Sequence, residues 1–152
     1  MSFLLGTNLA PIAPFPPGHE NWMLTDGYNV NLDIPYYRQC VLDTDGILYL
    51  VHWRNMESQL GVYNFSTVKA ALNFAATNGK KVIIRLLYKS YSATQAKPLP
   101  SYILNDEATY GGSATAGGLR KNSFGGGTPR FDHPNVMARF KALIRAMADE
   151  FG

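Results

Sequence analysis

The sequence predicts a mixed α/β fold, and three observations carry that expectation. Ile47–Trp53 (ILYLVHW) is an almost unbroken run of β-forming apolar residues. Val68, Leu72, Ala75 and Ala76 then recur at helical spacing between Ser66 and Gly79. A second apolar run, Val82–Leu87, follows. Strand, loop, helix and strand in this order make a βαβ unit with parallel strands. Runs this apolar are expected to be buried on both faces. Ligands of such folds gather at the carboxyl ends of the strands, which points to Trp53 and Arg85.

The elements around this unit follow from local chemistry. Residues 1–46 are read as an extended arm with a first short strand. Pro11, Pro14, Pro16 and Pro17 forbid a helix there. Trp22 and Met23 are candidates to anchor the arm, and weak alternation over Asn29–Asp33 suggests the strand. Asp43-Thr44-Asp45-Gly46 is a turn into the first long strand. Arg54–Phe65 is expected to be a loop, Ser66 the N-cap of the helix, and Asn78-Gly79 its stop. Residues 89–131 hold seven of the 14 glycines and are expected to be a long irregular loop. Within it, Pro100–Leu104 suggests a short helical turn. Asp132 or His133 would cap the last helix, with Pro134 in its first turn. Val136, Phe140, Leu143, Ile144, Met147 and Phe151 form its apolar face. Residues 47–152 thus read as a partial α/β domain, in which a further strand is expected after the last helix.

Composition narrows the function classes. The chain has 152 residues, 46% of them hydrophobic, which is enough to bury a core. Charged residues are 16%, below the roughly 25% of ordinary soluble domains. A low-charge surface with nine tyrosines suits a neutral polar ligand, or packing against more protein. Residues 1–80 carry four Lys or Arg against six Asp or Glu; residues 81–152 carry ten against five. Those basic residues are scattered, whereas a nucleic-acid surface needs a dense stripe, so no nucleic-acid partner is expected. The one cysteine, Cys40, allows no internal disulfide. No apolar run approaches the ~20 residues that span a membrane. The opening residues lack a basic n-region and a long apolar h-region and are not read as a signal peptide. An extracellular or periplasmic place is expected only for a form whose leader has been removed.

His52-Trp53-Arg54-Asn55-Met56-Glu57 followed by Gly61-Val62-Tyr63-Asn64-Phe65 forms a phrase. It resembles the segment after an early strand in barrel glycoside hydrolases of the large retaining clan, the β-galactosidase-like and cellulase-like families. Ala75–Arg85 resembles their continuation, a helix end leading into a strand. Pro100–Leu104 and Asp132-His133-Pro134 are similar to their later phrases. The likeness covers about 100 residues. It implies the first βα units of a TIM (β/α)8 barrel, incomplete in this chain, and a glycan or oligosaccharide as ligand. Two carboxylates do the chemistry in such enzymes, and they stand on the fourth and seventh strands. The resemblance therefore implies that this chain holds no catalytic carboxylate and is inactive alone. Its partners would include the remaining barrel segment or another copy of the chain.

Four residues are the candidate substrate contacts. The resemblance implies that Arg85 holds the nucleophile carboxylate in its ionised form; a structural ion pair, for instance with Glu57, is the other reading. Trp53 faces either the core or a sugar. Tyr88 and Tyr91 lie where the cleft rim would be, with Tyr102 and Tyr110 in the same loop. Glu57 is read as structural, His52 as packed, and the adjacent acids Asp106 and Glu107 as solvated. His19, His52 and His133 with Cys40 make no zinc pattern. Gly125-Gly126-Gly127 lacks the G-K-[ST] of a phosphate loop, so no metal or cofactor is expected. The competing reading of the whole chain is a small non-catalytic α/β carbohydrate-binding or structural subunit that oligomerises.

Overall fold

Three neighbouring parallel strands organise the chain. The computed structural model describes residues 20, 22–26, 42–95, 97–113 and 116–152, with 23–26 described by their main chain. Among these, β1 (Trp22–Asp26), β2 (Gly46–His52) and β5 (Lys81–Leu87) form one sheet in the order β1-β2-β5. Leu48 lies opposite Ile83 and Leu50 opposite Arg85, and Leu24 and Asp26 extend the same two rows into β1. The arm's strand is thus at Trp22–Asp26. The strand expected over Asn29–Asp33 lies outside the described residues, as does Cys40. Trp22 lays its ring over Gly46, where any β-carbon would come within 2.4 Å of it. A larger residue here would have to push the Trp22 ring aside.

The predicted βαβ unit forms, with its loop more ordered than expected. The chain leaves the sheet at Trp53 through a helical turn, α1 (Trp53–Met56), as Arg54 N–H donates to Pro98 O at 3.1 Å. A small hairpin follows, β3 (Glu57–Gln59) with β4 (Val62–Tyr63), turning at Gly61 with φ +73°. Helix α2 (Ser66–Thr77) buries Val68, Ala71 and Ala75 and leaves Ala76 exposed. Its cap is not the Ser66 hydroxyl: Ser66 is already helical, and Asn64 Oδ1 accepts its N–H at 3.0 Å. Gly79, at φ +63°, ends the turn as expected.

Among the described residues, the sheet is covered on one face only. Ile47, Tyr49 and Val51 are buried in the core, and Val82, Ile84 and Leu86 of β5 pack against it. The alternate residues point the other way. Ile83 is 49% exposed and Arg85 is exposed, so β5 is not buried on both faces as its composition suggests. The reason is that α2 and the long last helix, α5 (Pro134–Phe151), lie on the same side. They meet through Phe65 and Phe151, with ring centroids 5.5 Å apart, and through a Lys69–Glu150 ion pair.

Residues 89–131 are built rather than irregular. They hold α3 (Ser101–Leu104), α4 (Glu107–Tyr110) and a second hairpin, β6 (Leu119–Lys121) with β7 (Gly127–Pro129). Ser90 exchanges two main-chain hydrogen bonds with Gly127, and Ser92 bridges Gly125, so the stretch after β5 joins this hairpin. A β-carbon on Gly126 would stand 2.2 Å from Ser90 O. The glycine triplet is thus a backbone-contact device. Helix α5 buries Val136 and Leu143 completely, whereas Ile144, expected on the apolar face, is 44% exposed. His133 makes no side-chain cap, and Asp132 instead pairs with Arg120 and Arg130.

Candidate functional site

The carboxyl ends of β2 and β5 carry the candidate residues, and the structure separates them. Trp53 follows directly on His52, the last residue of β2, and turns inward. It is fully buried, its ring edge-on to Phe140 at 5.4 Å. Its Nε1–H donates to Glu57 Oε2 at 2.8 Å. Arg85 stands two residues before the end of β5, on the opposite, open face. Trp53 and Arg85 are therefore not brought together.

Glu57 is a fully buried carboxylate with a complete set of donors. Besides Trp53, Gly61 N–H donates to Oε1 at 3.1 Å, and Arg139 of α5 forms an ion pair with the same oxygen. Arg139 Nη2 also donates to Tyr63 OH, and its Nε donates to Tyr102 OH, both at 3.1 Å. A buried charge persists only when paired and hydrogen-bonded, and this network satisfies both conditions. Burial pulls the Arg139 guanidinium down, but its bonds to Glu57 and Tyr102 outweigh that, and its pKa is raised. Tyr102 is pushed well above the ordinary tyrosine value, chiefly by burial. Glu57 is thus a framework residue, paired with Arg139 and not with Arg85. Among the described residues the Arg85 side chain makes no hydrogen bond or ion pair.

Arg139 had a legible signature. It lies three residues after Val136 and four before Leu143, on the helix face that those two bury. A charge on an apolar stripe requires a buried partner.

Tyr88 and Tyr91 flank the exit of β5. Tyr88 is 37% exposed and packs edge-on against Phe131 and Phe140, at 5.5 and 6.1 Å. Tyr91 is 51% exposed, with Lys89 Nζ 4.8 Å from its ring centroid. Its main-chain N–H donates to Gln95 Oε1. Tyr110 is buried against Tyr102, ring centroids 6.0 Å apart. Asp106 does local work: its Oδ1 caps α4 by accepting Thr109 N–H at 3.0 Å.

Two depressions lie beside these strand ends. One, of about 410 Å³, is lined by Arg54, Asn55, Ser58, Lys97 and Ser101 over Leu99 and Leu104. The other, of about 250 Å³, has Lys97 and Lys121 beside the glycine triplet. No group of three His, Cys, Asp or Glu among the described residues could hold a metal ion. No described helix is long and apolar enough to cross a membrane. No protein-family model matches this chain, and no characterised protein matches it either.

Proposed function

We propose that the chain is the N-terminal portion of a carbohydrate-active (β/α)8-barrel enzyme of the glycoside hydrolase kind. Its ligand is a glycan or oligosaccharide, and these residues alone do not hydrolyse it. The observation that supports this is the one-sided sheet. Parallel strands in sequence order, with helices on one face, are the wall of a barrel whose interior is the other face. Leu48, Leu50, Ile83 and Arg85 would then line that interior. Arg85 stands two residue pairs below the carboxyl end of the sheet, near the depth where a barrel presents groups to its ligand. In this role it would hold a carboxylate brought by a later strand. Tyr88 and Tyr91 would form the rim, and Trp53 supports it from beneath.

A second reading rests on the exposure of Ile83, 49% exposed on the open face beside Leu48 and Leu50. A small non-catalytic carbohydrate-binding or structural subunit would cover that face by association with another copy.

Neutral oligosaccharides, cellotetraose and its galactose counterpart, should shift the amide resonances of Tyr88 and Tyr91, and Arg85→Ala should weaken the response. Failure of both sugars to shift any resonance would reject carbohydrate binding under either reading. The intact mass of the polypeptide from its natural source separates the two. A mass well above 16.8 kDa supports the barrel enzyme; a mass of 16.8 kDa moves the choice to the associating subunit.

A further inference from the structure

We propose that Phe124, at the tip of the second hairpin, is a stacking platform for a sugar ring of a neutral oligosaccharide, and that it extends the rim of Tyr88 and Tyr91 outward. This deepens the carbohydrate reading and rests on it. Phe124 is 78% exposed, more than any other bulky apolar side chain among the described residues. Its ring meets no other aromatic ring among them. An apolar ring left in water gains from any contact that covers it.

The main chain beneath the ring is fixed in advance. Gly125 N–H donates to Asn122 O at 3.1 Å and closes a four-residue turn. Asn122 Oδ1 accepts Phe124 N–H at 3.0 Å and Gly126 N–H at 2.8 Å, and its Nδ2 donates to Ser90 O at 3.0 Å. Phe124 O in turn accepts Ala93 N–H at 3.2 Å. Both main-chain polar groups of Phe124 thus belong to the fold, while its side chain is left out of it. Turns favour glycine and small polar residues. Asn122, Ser123 and Gly125 are of that kind, and Phe124 is not. A mount held this firmly lowers the ordering cost of binding.

The surroundings fit a sugar better than a protein. Ser92 bridges Gly125, and Ser90 pairs with Gly127. Tyr91 therefore stands opposite Gly126, on a diagonal to Phe124 that spans about 7–8 Å in a regular antiparallel pair. Tyr91 is itself 51% exposed. Two such rings offer at most ~150–250 Å² each, well short of the ~800 Å² that a stable protein partner covers on each side. A pyranose has apolar C–H faces and hydroxyl edges, so it needs one ring face and a few hydrogen-bonding groups beside it. Exposed Thr94, Gln95 and Ser123 supply hydroxyls and an amide along the same paired segments.

The test titrates cellotetraose and its galactose counterpart into the full chain. It reads the amides of Ser123, Phe124 and Gly125, and nuclear Overhauser contacts between the Phe124 ring and sugar C–H protons. One of the two sugars should show both signals. Phe124→Ala should weaken that sugar about tenfold, the scale of one aromatic contact. Phe124→Trp should keep the affinity. Phe124→Leu, as apolar but not planar, should weaken it nearly as far as Phe124→Ala. The ring lies outside the core, so all three variants should keep the native melting temperature. Native affinity in Phe124→Leu overturns the proposal, and so does a lowered melting temperature in Phe124→Ala. Loss of self-association in Phe124→Ala with sugar binding unchanged also overturns it, and marks the ring as a contact between copies. If the sugars shift Tyr88 and Tyr91 while Ser123, Phe124 and Gly125 stay still, the platform fails and the carbohydrate reading stands. If no amide shifts at all, both fail.

Discussion

Glu57 and Arg139 show how one side chain sets the worth of another. Glu57 is fully buried, and Arg139 keeps 20% of its side chain exposed. Removing Arg139 strands a carboxylate with no counter-charge; removing Glu57 leaves a cation that water still reaches. Arg139→Met should therefore cost about 3 kcal/mol, near the lower end for a broken buried pair. Glu57→Gln, which keeps an acceptor for Trp53, should cost about 1–2 kcal/mol. The double variant should lose less than the two single losses added together. Urea midpoints of the three variants check this, and a larger loss for Glu57→Gln would contradict it. Tyr102 gives a pH prediction. Its folded pKa is raised above the ordinary value of 10.0, so folding favours the neutral phenol. That stabilisation is fully present below pH 10 and is lost as pH rises through the folded value. Tyr110 is raised by burial as well, so an ultraviolet titration should show a late component beyond the exposed tyrosines, and Tyr102→Phe should remove its latest part. Trp53 as a candidate was legible from its type and place, but its orientation was not. The sequence leaves both faces open to it, and the buried Glu57 decides between them by taking Nε1–H.

Helix α5 tests the same logic at the level of an element. Its apolar pattern admits both Leu143 and Ile144, yet one is fully buried and the other 44% exposed. Adjacent residues are turned about 100° apart around a helix, so a face centred on Val136 and Leu143 leaves Ile144 at its margin. Leu143→Ala should cost about 3 kcal/mol through lost transfer energy and a cavity. Ile144→Ala should cost less than about 1 kcal/mol. Equal losses in thermal unfolding would place the helix differently. Both long strands, α2 and α5 were legible because their signals lie within a dozen or so neighbouring residues. The second hairpin was not. It depends on Ser90 meeting Gly127 across 37 residues, a pairing without a local period. The glycines that permit it read in sequence as mere flexibility.

At the scale of the molecule, the open sheet face decides what the chain can be. Ile83 and Ile84 are chemically identical neighbours on β5. Ile83 looks outward, 49% exposed, and Ile84 packs against the core. Ile83→Thr keeps the β-branch and should change stability by no more than about 0.5 kcal/mol. Ile84→Thr places a hydroxyl against the core and should cost about 2 kcal/mol. Exposed apolar faces favour association, so Ile83→Thr should also lower any self-association seen by light scattering. A large loss of stability in Ile83→Thr would mean that its face is covered. What the sequence by itself determined is the α/β class, the order of the central elements, and the positions of their turns. Periodicity, proline and glycine act within a few residues and leave their mark in the string. Only the tertiary structure decided that one face of an apolar strand stays open, that Glu57 belongs to Arg139, and that Arg54 and Lys97 share a depression. Each of these joins residues more than 40 positions apart, or a face to a helix, and depends on where packing brings the chain back on itself.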